Sequence, residues 1–175
     1  MKTRRDFVTH AALSAAAVAL VPSRALMAAP LPGLTSKTCK EANVSSPDLT
    51  DFYKRYIAAL NARDIKTVES MIPETVLRLG VPYPRTAVLD SFNVITDAIP
   101  DYRWNIQDLF VIDDRIAVRL QNTGTPIKPF LGHEPTGRSL NFMEFASYRI
   151  RDGRFAEMWF LMDEAAVARQ LRGEK

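Results

Sequence analysis

The sequence predicts an α+β domain, and three observations carry that prediction. Apolar residues in its first half recur at spacings of three and four, the period of a helix packed on one side. After Pro100 the spacing falls to two, the period of a half-buried strand. Asp152-Gly153 separates two alternating runs, as a tight antiparallel hairpin requires. Helices first and an antiparallel meander afterwards place the helices on one face of a curved sheet.

Ser46-Pro47-Asp48 can open the first helix, with Ser46 as N-cap and Pro47 in the first turn, where its missing N–H costs nothing. Leu49, Phe52, Tyr53, Tyr56, Ile57 and Leu60 form its apolar stripe, and Asn61-Ala62-Arg63-Asp64 interrupts it. Ile65, Val68, Met71 and Ile72 outline a second short helix, stopped by Pro73. Residues 76–79 read as a short strand, and Pro82 and Pro84 as a turn. Val88, Phe92, Ile95 and Ile99 mark a third helix that ends at Pro100. Residues 102–106 alternate, and runs at 109–112 and 116–120 flank an Asp113-Asp114 turn. Residues 139–150 form a long strand, 155–163 its hairpin partner, and 164–171 a closing helix.

The first 29 residues read as an address rather than as structure. Thr3-Arg4-Arg5-Asp6-Phe7-Val8 has the form of a twin-arginine signal, and an Ala-rich apolar run follows from Ala11 to Val21. That run is shorter than the roughly 20 apolar residues needed to span a bilayer. Ala25, Ala28 and Ala29 offer cleavage sites after the Pro22-Ser23-Arg24 break. Export to the periplasm or the medium is the expectation. Residues 30–46, with Pro30, Pro32 and Gly33, read as a flexible leader, and 47–175 as the folded domain.

Charge follows the same division. The whole chain carries 23 basic and 20 acidic residues. Lys2, Arg4, Arg5, Arg24 and Asp6 belong to the address, which leaves 19 of each sign in the remainder. A near-neutral domain without charge runs argues against nucleic acid as a partner. Cys39 is the one cysteine, so no intrachain disulfide forms. No Gly-x-Ser-x-Gly elbow, phosphate loop or dinucleotide fingerprint is present, which disfavours serine-nucleophile and nucleotide chemistry.

Several short motifs, taken in order, carry a resemblance. Ile99-Pro100-Asp101-Tyr102-Arg103, Asp108-Leu109, Asp114 and Arg119 come first. Gly124-Thr125, Phe130-Leu131-Gly132 and Pro135-Thr136-Gly137-Arg138 follow, and then Arg149, Asp152-Gly153, Glu157, Trp159 and Asp163. Over residues 48–172 this resembles the SnoaL-like polyketide cyclases, also called ester cyclases, of the nuclear transport factor 2-like superfamily. The resemblance implies a cone: three helices packed into a strongly bent antiparallel sheet, usually as a homodimer. It implies ring closure by aldol condensation without metal or cofactor, on a small apolar molecule, with Asp163 in the place of the key aspartate. The chain departs from the family at two positions where histidine is common, carrying Pro126 and Arg78.

Strict alternation along the last strand would put Phe155, Glu157, Trp159, Leu161 and Asp163 on one face. If that face lines the cone, desolvation raises the Asp163 carboxyl toward neutrality and suits it to remove a proton α to a carbonyl. Asp163 also stands between a strand and a helix, where an N-cap belongs. Tyr148, Arg149, Arg119, Arg78 and Asn122 are candidate donors to the enolate. Trp159 and Glu157 are candidate pocket residues, although Trp suits a core and Glu157 suits an arginine partner. His133, in Gly132-His133-Glu134-Pro135, reads as a loop residue. The other face, Ala156, Met158, Phe160 and Met162, would then be outermost and apolar, and dimerisation across the sheet would cover it. The expected function is cofactor-independent acid/base catalysis on a small carbonyl compound. A non-catalytic binding protein using the same hollow, or an epoxide or ester hydrolase, are the alternatives.

Overall fold

The stripe of Leu49, Phe52, Tyr53, Tyr56, Ile57 and Leu60 forms one side of helix α1 (Ser46–Ala62), and every one of these side chains is buried. The structure, a computed structural model, describes residues 46–174; the expected signal, the leader up to residue 45 and Cys39 lie outside the described residues. After α1 come α2 (Ile65–Ser70), strands β1 (Thr75–Arg78) and β2 (Val81–Pro84), and α3 (Arg85–Ala98). Four longer strands follow: β3 (Arg103–Ile112), β4 (Arg115–Gly124), β5 (Leu140–Arg151) and β6 (Arg154–Met162), before helix α4 (Glu164–Arg172). Among the described residues no helix is long and apolar enough to cross a membrane.

The strands make one sheet in the order β2-β1-β6-β5-β4-β3. All neighbours are antiparallel except β1 and β6, where Arg78 lies opposite Met158 in a parallel pair. The α+β expectation holds, with one rearrangement: the β1–β2 hairpin interrupts the helical half between α2 and α3. Pro82 and Pro84 lie in edge strand β2 rather than in a turn. An edge strand has one side without ladder partners, so proline's missing N–H is tolerated there. The turn itself is Leu79-Gly80, both at positive φ (51° and 82°).

Two bulges bend the sheet. Ile106 faces Leu120 and Asp108 faces Arg119, so Gln107 is an extra residue in β3. Arg149 faces Glu157 and Ile150 faces Phe155, so Ala156 is an extra residue in β6. The second bulge reverses the side-chain parity expected for the last strand. Phe155 points inward, and beyond the bulge it is Met158, Phe160 and Met162 that continue its face. Trp159 and Leu161 stand on the outer face, 43% and 74% exposed.

The far edge of the sheet is tied down by polar groups from the end of α1. Asn61 donates Nδ2 to Trp104 O (2.8 Å) and accepts from Trp104 N (2.9 Å), as a neighbouring strand would. Arg63 donates to the carbonyls of Leu60, Pro100 and Tyr102. Gly124, at φ 156°, ends β4 against this corner; a Cβ there would run into Ile99 and come within 3.0 Å of Tyr102 Cα. Asn61→Ala removes two backbone-directed bonds and is expected to lower unfolding stability by about 1–3 kcal/mol, read from urea denaturation. An unchanged midpoint would show that β3 holds its place without Asn61.

Candidate active site

Helices α1 and α3 cover the concave side of the sheet and leave a cavity of about 70 Å³ between them. Tyr56, Ile57 and Leu60 line it from α1, and Ser91, Phe92 and Ile95 from α3. The sheet contributes Arg78, Trp104, Leu120, Glu144, Tyr148, Met158, Phe160 and Met162. This is a greasy space whose wall, among the described residues, holds two charged side chains, Arg78 and Glu144.

Glu144 lies in β5 between Phe142 and Ala146 on the buried face, and it is only 8% exposed. Its strand partners are Leu120 on one side and Met162 on the other. Burial raises its carboxyl from 4.5 to about 7, against the opposing pull of a hydrogen bond from Asn122. That bond, Asn122 Nδ2 to Glu144 Oε2, is 2.6 Å long and fully buried. Asn122 Oδ1 has no hydrogen-bond partner among the described residues. An asparagine amide can donate to a carboxylate or, turned over, accept from a carboxylic acid, so Asn122 can hold Glu144 in either protonation state.

Tyr56 and Tyr148 are held well above the usual phenol range, first by burial. The Glu144 charge pushes both further up, and Arg78 offsets part of the shift. They therefore stay protonated at any physiological pH and present O–H donors. Tyr102, 0% exposed in the layer behind, is likewise raised by burial and by Glu144. Tyr53 and Tyr148 pack with ring centres 5.3 Å apart, and Tyr148 and Phe155 with centres 5.1 Å apart, so the aromatic wall is rigid.

The residues expected from sequence divide into two groups. Tyr148 and Arg78 line the cavity, and Asn122 reaches it through Glu144. Asp163, Trp159, Glu157 and Arg119 lie elsewhere. Asp163 accepts a 2.9 Å bond from Ala166 N as the N-cap of α4, and it borders a separate hollow with Phe145, Leu161 and Glu164. The bulge at Ala156 moved this part of the strand: an extra residue turns Glu157, Trp159 and Leu161 outward. Glu157 there pairs with Arg149 at 2.7 Å. Arg119 pairs with Asp108 at 2.6 Å, on the outer side of β3 and β4. Arg149 also approaches Asp114, at 3.2 Å. His133 stays in the β4–β5 loop, bridged through its backbone to Phe130. The outer face is the apolar one: Leu79, Phe110, Phe145, Trp159 and Leu161 line a shallow groove across it. Ala156, Met158, Phe160 and Met162, expected to be outermost, include the inward wall of the cavity. Among the described residues no three His, Cys, Asp or Glu side chains converge as metal ligands.

Comparison with known proteins agrees with this architecture. A family model described as SnoaL-like polyketide cyclase matches residues 50–171. The chain belongs to the SnoaL-like polyketide cyclase family. A SnoaL-like polyketide cyclase from Agrobacterium tumefaciens is 27% identical, with a TM-score of 0.66 over 70% of this chain and 97% of that one. IdmH from Streptomyces antibioticus is 26% identical, with a TM-score of 0.63 over the same shares. TsrD from Streptomyces laurentii shares the fold at 22% identity and a TM-score of 0.67, over 73% of this chain and 97% of that one. No curated protein matches the chain. Family membership supports cofactor-independent cyclase or isomerase chemistry on small molecules.

Glu144 escaped the sequence reading, although a signal existed. Leu140, Phe142, Ala146, Tyr148 and Ile150 alternate through β5 as an apolar face, and Glu144 is the charged residue in their phase. A carboxylate in that phase costs desolvation unless it is protonated or paired. Its titration should be visible in folding. Above 4.5 the unfolded chain releases a proton that the native carboxyl keeps until about 7. Stability contributed by this group is therefore complete below 4.5, falls as pH rises toward 7, and is flat beyond, a loss of about 3 kcal/mol. In Glu144→Gln that component is absent, so the difference in unfolding free energy between variant and wild type should change by this amount between pH 4.5 and 8. A constant difference would mean that Glu144 titrates normally.

Proposed function

We propose that the protein is a cofactor-independent acid/base enzyme of the cyclase or isomerase type, in which Glu144 is the general base. One observation carries this reading: a buried carboxyl with its midpoint near 7 faces an apolar cavity beside two phenols that burial keeps protonated. A base poised near working pH is both sufficiently ionised and sufficiently basic. The Glu144 carboxylate takes a proton from the carbon α to a carbonyl. The C–H electron pair becomes the new C=C bond as the carbonyl π pair moves onto oxygen. Tyr56 and Tyr148, as O–H donors, stabilise the resulting enolate oxygen. The enolate carbon then attacks a second carbonyl of the same molecule and closes a ring; with a β,γ-unsaturated ketone the conjugated dienolate instead takes the proton back from Glu144 at its γ carbon, which shifts the double bond and gives an isomer. In ring closure the Glu144 proton passes to the new alkoxide, which restores the base.

In this reading Asp163 keeps its capping role and does not touch the substrate. Cyclopentanone is a suitable probe, because it is small, neutral and exchanges its α protons measurably by NMR in heavy water. Exchange catalysed by wild type should rise with pH and level off above about 7, following Glu144. Glu144→Gln should lose on the order of 10²-fold or more. Asp163→Asn should retain the rate, since asparagine caps a helix as well as aspartate does. Loss in Asp163→Asn with retention in Glu144→Gln would transfer the base role to Asp163.

We also propose that two copies associate through the outer sheet face. Phe110 on β3, Phe145 on β5, and Trp159 and Leu161 on β6 are 62%, 53%, 43% and 74% exposed there, along one groove that crosses β4 at Ala117. A continuous apolar patch of this kind is costly to leave in water. Leu161→Asp should convert a dimer to a monomer in sedimentation velocity. A wild type that sediments as a monomer at micromolar concentration would remove this reading.

A further inference from the structure

We propose that Arg78 is an anion anchor, and that the compound taken into the cavity is a small oxo acid whose carboxylate docks on Arg78 while its carbonyl reaches Glu144. The proposal rests on Glu144 acting as the base, and it adds the chemical class of the substrate.

Arg78 is the last residue of β1 and lies opposite Met158, a buried residue of the cavity wall, so it faces inward. Its guanidinium carbon sits 5.0 Å from the Tyr83 ring centre and 4.8 Å from that of Phe160. Contact with ring faces orients a guanidinium but uses none of its N–H donors. The other half-buried arginines all spend those donors. Arg63 donates to three carbonyls, Arg85 to Ile72 O, Arg119 to Asp108, and Arg149 to Glu157. Arg78 alone among them has no hydrogen-bond or ion-pair partner among the described residues. A cation held by two rings with a free donor edge, in the wall of a cavity, is a binding group without its ligand class yet named.

Electrostatics order the site. The Arg78 charge and the Glu144 charge both act on Tyr56 and on Tyr148, in opposite directions. Glu144 itself responds to burial and to Asn122, and Arg78 is not among its perturbing groups. Among the described residues cation and carboxyl form no ion pair, although both line one cavity together with Tyr56 and Tyr148. Arg78 is half-buried and Glu144 nearly inaccessible, so the cation is nearer the mouth. A ligand that satisfies this wall carries a monoanion at one end, a short apolar stretch, and a carbonyl at the other. A planar carboxylate matches the guanidinium fork through two parallel hydrogen bonds. Among the described residues Arg78 is the one cation lining the cavity, so a dianion such as a phosphate monoester would bury uncompensated charge. Enolate formation then occurs beside Tyr56 and Tyr148, away from the anchored carboxylate.

Levulinate and its neutral amide, 4-oxopentanamide, separate this claim from the one about the base. Each is titrated into wild type, Arg78→Met and Arg78→Lys by NMR, with circular dichroism as a check of folding. Wild type should prefer the acid on the order of tenfold or more, the effect of a charge-assisted bond pair. Arg78→Met should bind both alike, and Arg78→Lys should recover part of the preference. Equal binding of acid and amide by wild type overturns the anchor, as does a preference that survives in Arg78→Met, or no levulinate binding at millimolar concentration. Catalysed exchange on cyclopentanone, which has no carboxylate, reports on Glu144 separately. If it persists while the acid preference is missing, only the anchor falls; if Glu144→Gln retains it, the base assignment falls.

Discussion

The hydrogen bond between Asn122 and Glu144 stands at the centre of this structure. A carboxyl in the middle of a four-strand-wide hydrophobic surface is an expensive thing to build. Without Asn122 it would face Leu120, Phe142, Ala146 and Met162 with no polar neighbour holding its oxygens. With Asn122 in place the carboxyl has a fixed orientation and a midpoint that burial alone would push higher. The tyrosines around it are raised partly because Glu144 is there, so the polar character of the whole cavity follows from this pair.

The helices and the outer sheet face depend on that arrangement in different ways. α1 supplies Tyr56 to the cavity and Phe52 and Tyr53 to the aromatic core behind it, which fixes the wall against which a ligand would lie. The same helix ends in Asn61 and Arg63, whose bonds to β3 and to the approach to β3 set the far edge of the sheet. The outer face carries the ion pairs of Arg119 with Asp108 and of Arg149 with Glu157, around exposed aromatic and aliphatic side chains. Both faces of the sheet are thus largely apolar, the inner one interrupted by Glu144 and Asn122 and the outer one by its ion pairs.

Much of this was legible before any coordinates. The stripes of α1, α2 and α3 appeared in the spacing of apolar residues, because a helix that packs on one side repeats its apolar positions every three to four residues. Strand pairs followed from Asp113-Asp114 and Asp152-Gly153, whose turns fix register locally. What the spacing did not show was the extra residue at Ala156. A bulge depends on how two strands are bent over the helices, and Phe155 to Met162 reads as a plausible alternation in either phase. One misplaced residue exchanged inside for outside, and with it Trp159 and Glu157 for Met158 and Phe160. Asp163 was read correctly as a cap candidate, since Asp before Glu164-Ala165-Ala166 opens a helix. Glu144 belongs to no motif, and alternation alone does not tell which face of β5 is buried. Pro82 and Pro84 misled for a different reason: proline excludes a central strand but not the outermost one.

Glu144 sits on β5, with β6 on one flank and β4 on the other, so its backbone is clamped along both sides. Arg78 sits where β1 gives way to a two-residue turn next to the sheet's border. The hairpin that carries Arg78 ends in β2, which is bordered by a strand on one side only, so it can be exchanged with less disturbance than a strand held on both flanks. On the proposed roles, a substitution at the sheet's margin alters what the cavity admits and leaves the carboxyl in the middle of the ladder in place.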